Sequence, residues 1–269
     1  TPLTKMQRSS PTPPVHVTLV NLGRVVEAKG GVEKVFCELA NNLLSLGFIV
    51  NAVCCDKQQG RPGFPLSQDA NFHNCWKDNR NFLLSRPICN LRSLHPNRNI
   101  RRIQRTQLLD KMYQAKLQPH LSSIETDIWI CFQPESTYVI KELLKMPQPA
   151  ITMFHQNPNF FLQNPESQLF KKTIEEDSIL QVLMPEFVSE FKRILPKATI
   201  VHIPNSVAPS TKIAQLTNKK IINVGRITNG KHQLLAVKAF HKLAGKYPDW
   251  TIEFWGEDDE NPRYAKQVK

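Results

Sequence analysis

The chain has 269 residues, 41% of them hydrophobic and 22% charged, enough to bury one large core or two small ones. No apolar run approaches the roughly 18 residues of a membrane span, and the N-terminus lacks the basic-then-apolar pattern of a secretory signal, so a cytoplasmic protein is expected. A formal net charge of +12 suits an anionic substrate, an anionic membrane surface or nucleic acid without choosing among them.

Residues 1–14 are rich in Ser, Thr and Pro and read as a flexible leader. Val15 to Val20 is a β-branched run that predicts a strand, and the polar segment after it ends in Gly30-Gly31. From there Val32, Val35, Phe36, Leu39, Leu43 and Leu46 recur at helical spacing until Gly47, and Phe48 to Cys54 reads as a second strand. Strand, glycine loop, helix and strand make a βαβ unit, whose crossover requires a parallel sheet covered on both faces. Gln58 to Pro65 reads as a loop, and Asn97 to Leu117 as a helix with Ile100, Ile103, Leu108, Met112 and Ala115 partly in register. Asp127 to Phe132 and Ala150 to Phe154 are expected buried strands separated by a helical run from Ser136 to Leu144. Shorter strands at Ile179–Met184 and Thr199–Ile203 flank a helix over Pro185–Ile194. Pro204 to Asn218 is polar and linker-like. A fresh βαβ follows, with strand Lys220–Val224, a glycine loop, helix Gln233–Ala244, strand Trp250–Trp255 and a charged tail from Glu257. The alternation predicts an α/β, doubly wound class, with domains over 15–208 and 209–269.

Several positions carry chemistry. Gly30 and Gly31 stand where a helix N-terminus presents unsatisfied N–H groups, and a diphosphate can approach a residue that lacks a side chain; a plain turn and cap explains them equally. Glu33 reads as a first-turn residue favoured by the helix dipole. Arg226 and Lys231 follow a strand in the same arrangement and supply paired positive charge; without context they are a surface Arg and a helix-start Lys. His155 ends the strand Ala150–Phe154, at the carboxyl edge where open α/β sheets place ligands. Gln156 and Asn157 could reach sugar hydroxyls, and Asn157-Pro158 is equally a turn. Asn205, in Pro204-Asn205-Ser206-Val207, is a cleft-lining residue or a turn former.

Arg92, Arg98, Arg101, Arg102, Arg105, Lys111 and Lys116 concentrate positive charge, with Arg98, Arg102 and Arg105 on one helical face. That face suits an anionic bilayer or plain solvent, and no aromatic or Gly motif of a nucleic-acid module accompanies it. The six cysteines, Cys37, Cys54, Cys55, Cys75, Cys89 and Cys131, lack CxxC pairing and read as reduced structural thiols. Asp258-Asp259-Glu260 reads as a solvated turn, and no metal site is expected.

Gly30-Gly31-Val32-Glu33-Lys34-Val35 and Val224-Gly225-Arg226-Ile227-Thr228-Asn229-Gly230-Lys231 together resemble the retaining GT-B glycosyltransferases, family four-like. The first is similar to the family's Gly-Gly-Ala-Glu-Arg-Val element and the second to its Gly-Arg-x4-Lys diphosphate clamp. Pro204-Asn205-Ser206-Val207 is similar to its Pro-Asn-Gly-Val, with Ser206 in place of glycine. The resemblance implies a complete N-terminal Rossmann-like, acceptor-side domain and the first βαβ of a second, donor-side one. It implies transfer of a hexose from a nucleotide diphosphate sugar to a glycan or lipid-linked acceptor, such as lipopolysaccharide or capsule, with retention and without a further cofactor. Arg226 and Lys231 would hold the diphosphate in a cleft between the domains, Gly30, Gly31 and His155 the sugar, with Asn205 lining the cleft. It also implies peripheral contact with an anionic membrane at its cytoplasmic face. The family carries a Glu-x7-Glu element and a final helix beyond the matched region, so a C-terminally truncated member is expected, with an exposed sheet edge suited to a homodimer. A non-catalytic binding or dimerisation module of such an enzyme is the alternative; a nucleotide-sugar epimerase or a glycogen-type synthase is another.

Overall fold

The computed structural model describes residues 13–56, 58–75, 95–207, 210–257 and 262–268, without the side chains of residues 105, 106, 108–113, 115 and 116. Cys89, Arg92, the Asp258-Asp259-Glu260 cluster and the side chains of Arg105, Lys111 and Lys116 therefore lie outside the described residues. Two compact units are present, Thr1–Ser206 and Val207–Lys269.

The first unit is built on seven parallel strands: β1 His16–Asn21, β2 Ile49–Cys54, β3 Asn71–Asn74, β4 Ile128–Cys131, β5 Ala150–Phe154, β6 Ser178–Val182 and β7 Thr199–His202. Their order is β3-β2-β1-β4-β5-β6-β7, so the winding reverses beside β1 and leaves a crevice between the carboxyl ends of β1 and β4. Because side chains alternate along a strand, Val17, Leu19, Ile130 and Phe132 face helix α1 (Gly31–Ser45), packing with its Phe36, Cys37 and Ala40. Val20, Val53, Trp129 and Cys131 point the other way, onto Leu117 and Leu121 of α2 (Arg98–Leu121). Burial pushes the thiols of Cys54 and Cys131 up to about 12, which keeps them protonated and inert.

The expected strands and helices are present, with four departures in the first unit. The edge strand β3 holds a single apolar residue, Phe72, and so carries no hydrophobic alternation to announce it. Helix α2 continues to Leu121 through Pro119, and its start is fixed by the Asn97 side chain, which accepts the N–H groups of Asn99 and Ile100. The helix expected over Ser136–Leu144 is a short α3 (Pro134–Tyr138) followed by a π-helical turn, Val139–Leu143. The Leu144 N–H reaches back to the Val139 carbonyl at 2.9 Å, and the Leu143 carbonyl accepts Gln114 Nε2 from α2 at 2.9 Å. Two further helices, α4 (Pro158–Gln163) and α5 (Ser167–Asp177), precede β6, and α6 (Pro185–Ile194) follows it. Asn157 caps α4 by accepting the Asn159 N–H, which is the structural use of the Asn157-Pro158 pair.

In the second unit β8 (Lys220–Val224) and β9 (Thr251–Trp255) pair in parallel around helix α7 (Gln233–Ala244). The expected charged tail instead contains helix α8 (Pro262–Val268). Its Tyr264 and Ala265 pack against Ile227, Leu234 and Phe254, and the Tyr264 hydroxyl accepts the Leu234 N–H at 2.9 Å.

The loop between β1 and α1 is held from a distance. Asp56, buried just past β2, accepts the N–H groups of Val25 and Val26 on Oδ2 at 2.8 and 2.9 Å, and that of Gln58 on Oδ1 at 3.0 Å. Asn74 in turn accepts the Asp56 N–H and donates to the Asp56 and Gln58 carbonyls. Gly63 lies so close to the loop that a Cβ there would stand 2.2 Å from the Ala28 carbonyl oxygen. Asp56→Ala strands buried N–H groups at about 1–3 kcal/mol each. A fall in the urea midpoint with an unchanged slope, worth at least ~2 kcal/mol, is the expected result, with Asp56→Asn losing less.

Candidate functional site

A pocket of about 190 Å³ opens at the carboxyl ends of β4 and β5, beside the first turn of α1. Val32, Phe132, Met153, Phe154 and Phe161 form apolar walls, while Gln133, Glu135, His155, Gln156, Asn164 and Ser167 bring polar groups to it. Three elements set this up. Helix α1 delivers Val32 one residue after Gly31, β4 ends in Phe132-Gln133 with α3 starting at Pro134, and β5 ends in Phe154-His155.

His155 stacks on Phe132, ring centroids 5.4 Å apart at 20°, and its buried Nε2 has no hydrogen-bond partner. Burial lowers its pKa from 6.5 to about 4, so the imidazole is neutral near pH 7. Glu135 reaches solvent at the lip, yet the surrounding protein mass, helped by Glu166, raises its pKa. Glu166 is gripped by Arg102, whose Nε and a terminal nitrogen each stand 3.0 Å from its oxygens. On the β1 side of the switch point, buried Asn21 accepts Gln133 Nε2 at 2.8 Å and the Gly23 N–H at 3.0 Å. Its own Nδ2 is buried without a partner.

The two glycines differ. Gly31 opens α1 with nothing within 4 Å of where a Cβ would stand, so the helix N-terminus is accessible there. Gly30, the N-cap, lies under the Glu33 carboxylate, and a Cβ on it would stand 2.1 Å from Glu33 Oε2. The close approach expected of the pair is therefore open at Gly31 and occupied by a carboxylate at Gly30. Asn205 lies exposed beyond β7 and does not line the pocket. Ser206, in the family's glycine position, is not in the left-handed region.

In the second unit, Arg226 and Lys231 are exposed at opposite ends of one loop. Gly225 before it has a φ of +154°, and a Cβ on Gly256 would stand 2.0 Å from the Gly225 carbonyl oxygen. The loop is braced from within by Gln233, fully buried, which donates to the Arg226 carbonyl at 2.8 Å. Sequence reasoning missed Glu135, Gln133 and the phenylalanine walls. Residues just past the end of β4 satisfy the strand-end rule that found His155, and the same rule applied there would have singled them out. Among the described residues, no group of three or more His, Cys, Asp or Glu could hold a metal, and no helix is long and apolar enough to cross a membrane.

No family model matches the chain. A 66-residue stretch is 40% identical to an uncharacterized glycosyltransferase of Haemophilus influenzae, covering 24% of this chain and 19% of that protein. The fold is similar to that of sucrose-phosphate synthase from Thermosynechococcus elongatus, with a TM-score of 0.62 at 13% identity, over 94% of this chain and 73% of that one. It is also similar to a mutant of S. aureus TarM in complex with fondaparinux, α-GlcNAc-glycerol and UDP, with a TM-score of 0.68 at 12% identity, over 94% and 74% of the two chains. The architecture is thus the α/β fold of GT-B glycosyltransferase structures, with a parallel seven-stranded sheet.

The neutrality of His155 has a measurable consequence. Its folded pKa of about 4 lies below its ordinary 6.5, so the unfolded chain binds the extra proton across that window. Stability contributed by this group is complete above the window and lost as pH falls through it. Melting temperatures followed from about pH 7 to about pH 4 are expected to drop less steeply in His155→Gln than in the wild type.

Proposed function

We propose that this chain is a GT-B glycosyltransferase acting on a nucleotide diphosphate sugar and transferring a hexose, with retention, to a hydroxyl of a glycan or lipid-linked acceptor. The observation that carries the reading is the pocket at the strand ends, whose apolar walls are joined by a neutral His155 with a buried, unpartnered Nε2. Such a lining suits an uncharged, hydroxyl-rich ring: Phe and Val surfaces take its apolar faces, and His155, Gln133 and Glu135 its hydroxyls. The UDP in the similar TarM structure and the glycosyltransferase name of the Haemophilus influenzae relative support the same reading.

In this reading Gly31 and His155 position the transferred sugar, while Arg226 and Lys231 take the diphosphate. The bond between the anomeric carbon and the diphosphate oxygen breaks with its electron pair going to the leaving group. The acceptor oxygen bonds to the same face of that carbon, and its proton passes to a departing phosphate oxygen. Preorganised cations on the leaving group lower the barrier, and no enzyme nucleophile is assigned. Arg98 and Arg101, exposed on the first turn of α2, supply a basic surface for peripheral contact with an anionic bilayer, at about 1 kcal/mol for each residue near it, while Arg102 is taken up by Glu166.

The test is a thermal-shift scan of UDP, GDP and ADP sugars on the wild type and Arg226→Ala. One donor is expected to stabilise the wild type and to lose that effect in the variant. Where transfer is measurable, Arg226→Ala and Lys231→Ala should each lower its rate by about 10²–10³. Absence of any shift with every donor would reject the enzyme in favour of a non-catalytic module.

A further inference from the structure

A second cavity, of about 300 Å³, lies among α4, α5 and α6, lined by Phe161, Leu162, Gln168, Lys171, Arg193 and Ile194. It backs onto the pocket described above, since Phe161 lines both. Its composition is unusual in two respects.

The first is charge. The lining holds two cations and no carboxylate. Each has an immediate neighbour of the same sign that is put to structural use. On α5, Lys172 pairs with Glu176 at 3.9 Å. On α6, Lys192 Nζ donates to the Ala198 carbonyl, past the end of the helix, at 2.6 Å. Lys171 and Arg193 make no ion pair among the described residues. Glu175, one turn on from Lys171, accepts the Lys197 N–H instead. Two unneutralised cations sharing one concavity repel each other, and a bound anion reverses that term.

The second is the apolar remainder. Leu162 is 60% exposed on a six-residue helix, and Phe161 and Ile194 continue the surface inward. Apolar side chains beside unpaired cations in a concavity fit a ligand with both an anionic head and a hydrocarbon part.

We propose that this cavity binds a phosphorylated amphiphile, a phosphate monoester whose oxygens meet Lys171, Arg193 and Gln168 and whose hydrocarbon lies on Leu162, Phe161 and Ile194. Arg193 suits a phosphate because its planar fork matches two oxygens at once. The inference stands independently of sugar transfer.

Octyl phosphate titrated calorimetrically into the full chain tests it, with inorganic phosphate as the soluble alternative. Lys171→Ala and Arg193→Ala are each expected to weaken octyl phosphate at least about tenfold, and raised salt to weaken it further. Lys172→Ala, which removes the engaged neighbour, should bind as the wild type does. Inorganic phosphate should bind at least about tenfold more weakly than octyl phosphate, because it leaves Leu162 uncovered. Wild-type affinity in the Lys171→Ala/Arg193→Ala double variant would overturn the site. Equal affinity for the two probes would overturn the amphiphile and assign a soluble phosphate. Nucleoside diphosphate binding, measured in parallel, should be unchanged in the double variant, which separates this site from the proposed donor site.

Discussion

A carboxylate 31 residues away in sequence shapes the loop that follows the first strand. Asp56 holds two successive N–H groups of that loop on one oxygen, and Asn74 holds Asp56 in place. Buried backbone N–H groups must find acceptors, and here the acceptor comes from the neighbouring β2–β3 edge rather than from the loop itself. The entry of α1, and with it Val32 at the pocket, depends on that anchoring. Close packing reinforces it: the backbone around Ala28 passes Gly63 at a distance that excludes any side chain. The course of the loop before Gly30 is therefore set by long-range contacts, although its sequence looks locally permissive.

This explains what was legible in the sequence. Strands β1, β2, β4 and β5 and helices α1, α6 and α7 carry strong apolar periodicity, and the chain folds them where that periodicity points. Strand β3 and the Asp56–Asn74 pair carry none, because their work is polar and non-local. His155 was found by its place at a strand end, a rule of topology; its stacking on Phe132 and its unpartnered Nε2 belong to tertiary structure alone. Helices α4 and α5 sit in a stretch of mixed Asn, Gln and Phe; the Asn157 cap announces α4, while α5 has no side-chain cap. The split of α3 into a π-helical turn is accompanied by a partner, Gln114, that lies 29 residues from Leu143 and outside any local window.

The charge of the chain is distributed unevenly with respect to its concave surfaces. The pocket at the strand ends is lined by no cation; its ionisable groups are a neutral imidazole and a carboxyl whose ionisation is opposed by its surroundings. The positive residues gather instead on the first turns of α2, around the cavity between α5 and α6, and on the Arg226–Lys231 loop. A net charge of +12 alone would have suggested a single broad anionic partner.

The π-helical turn at Val139–Leu143 has a bearing on how this chain tolerates changes in length. An i to i+5 turn is an α-helix carrying one surplus residue. Removing one residue from that segment would tighten it to an α-turn and leave the faces of the flanking residues unchanged. The same deletion in α1 would rotate every following side chain by about 100° and carry Phe36, Cys37 and Ala40 out of the core. Length variation between otherwise similar chains should therefore collect at this turn, as the loss of a single residue there.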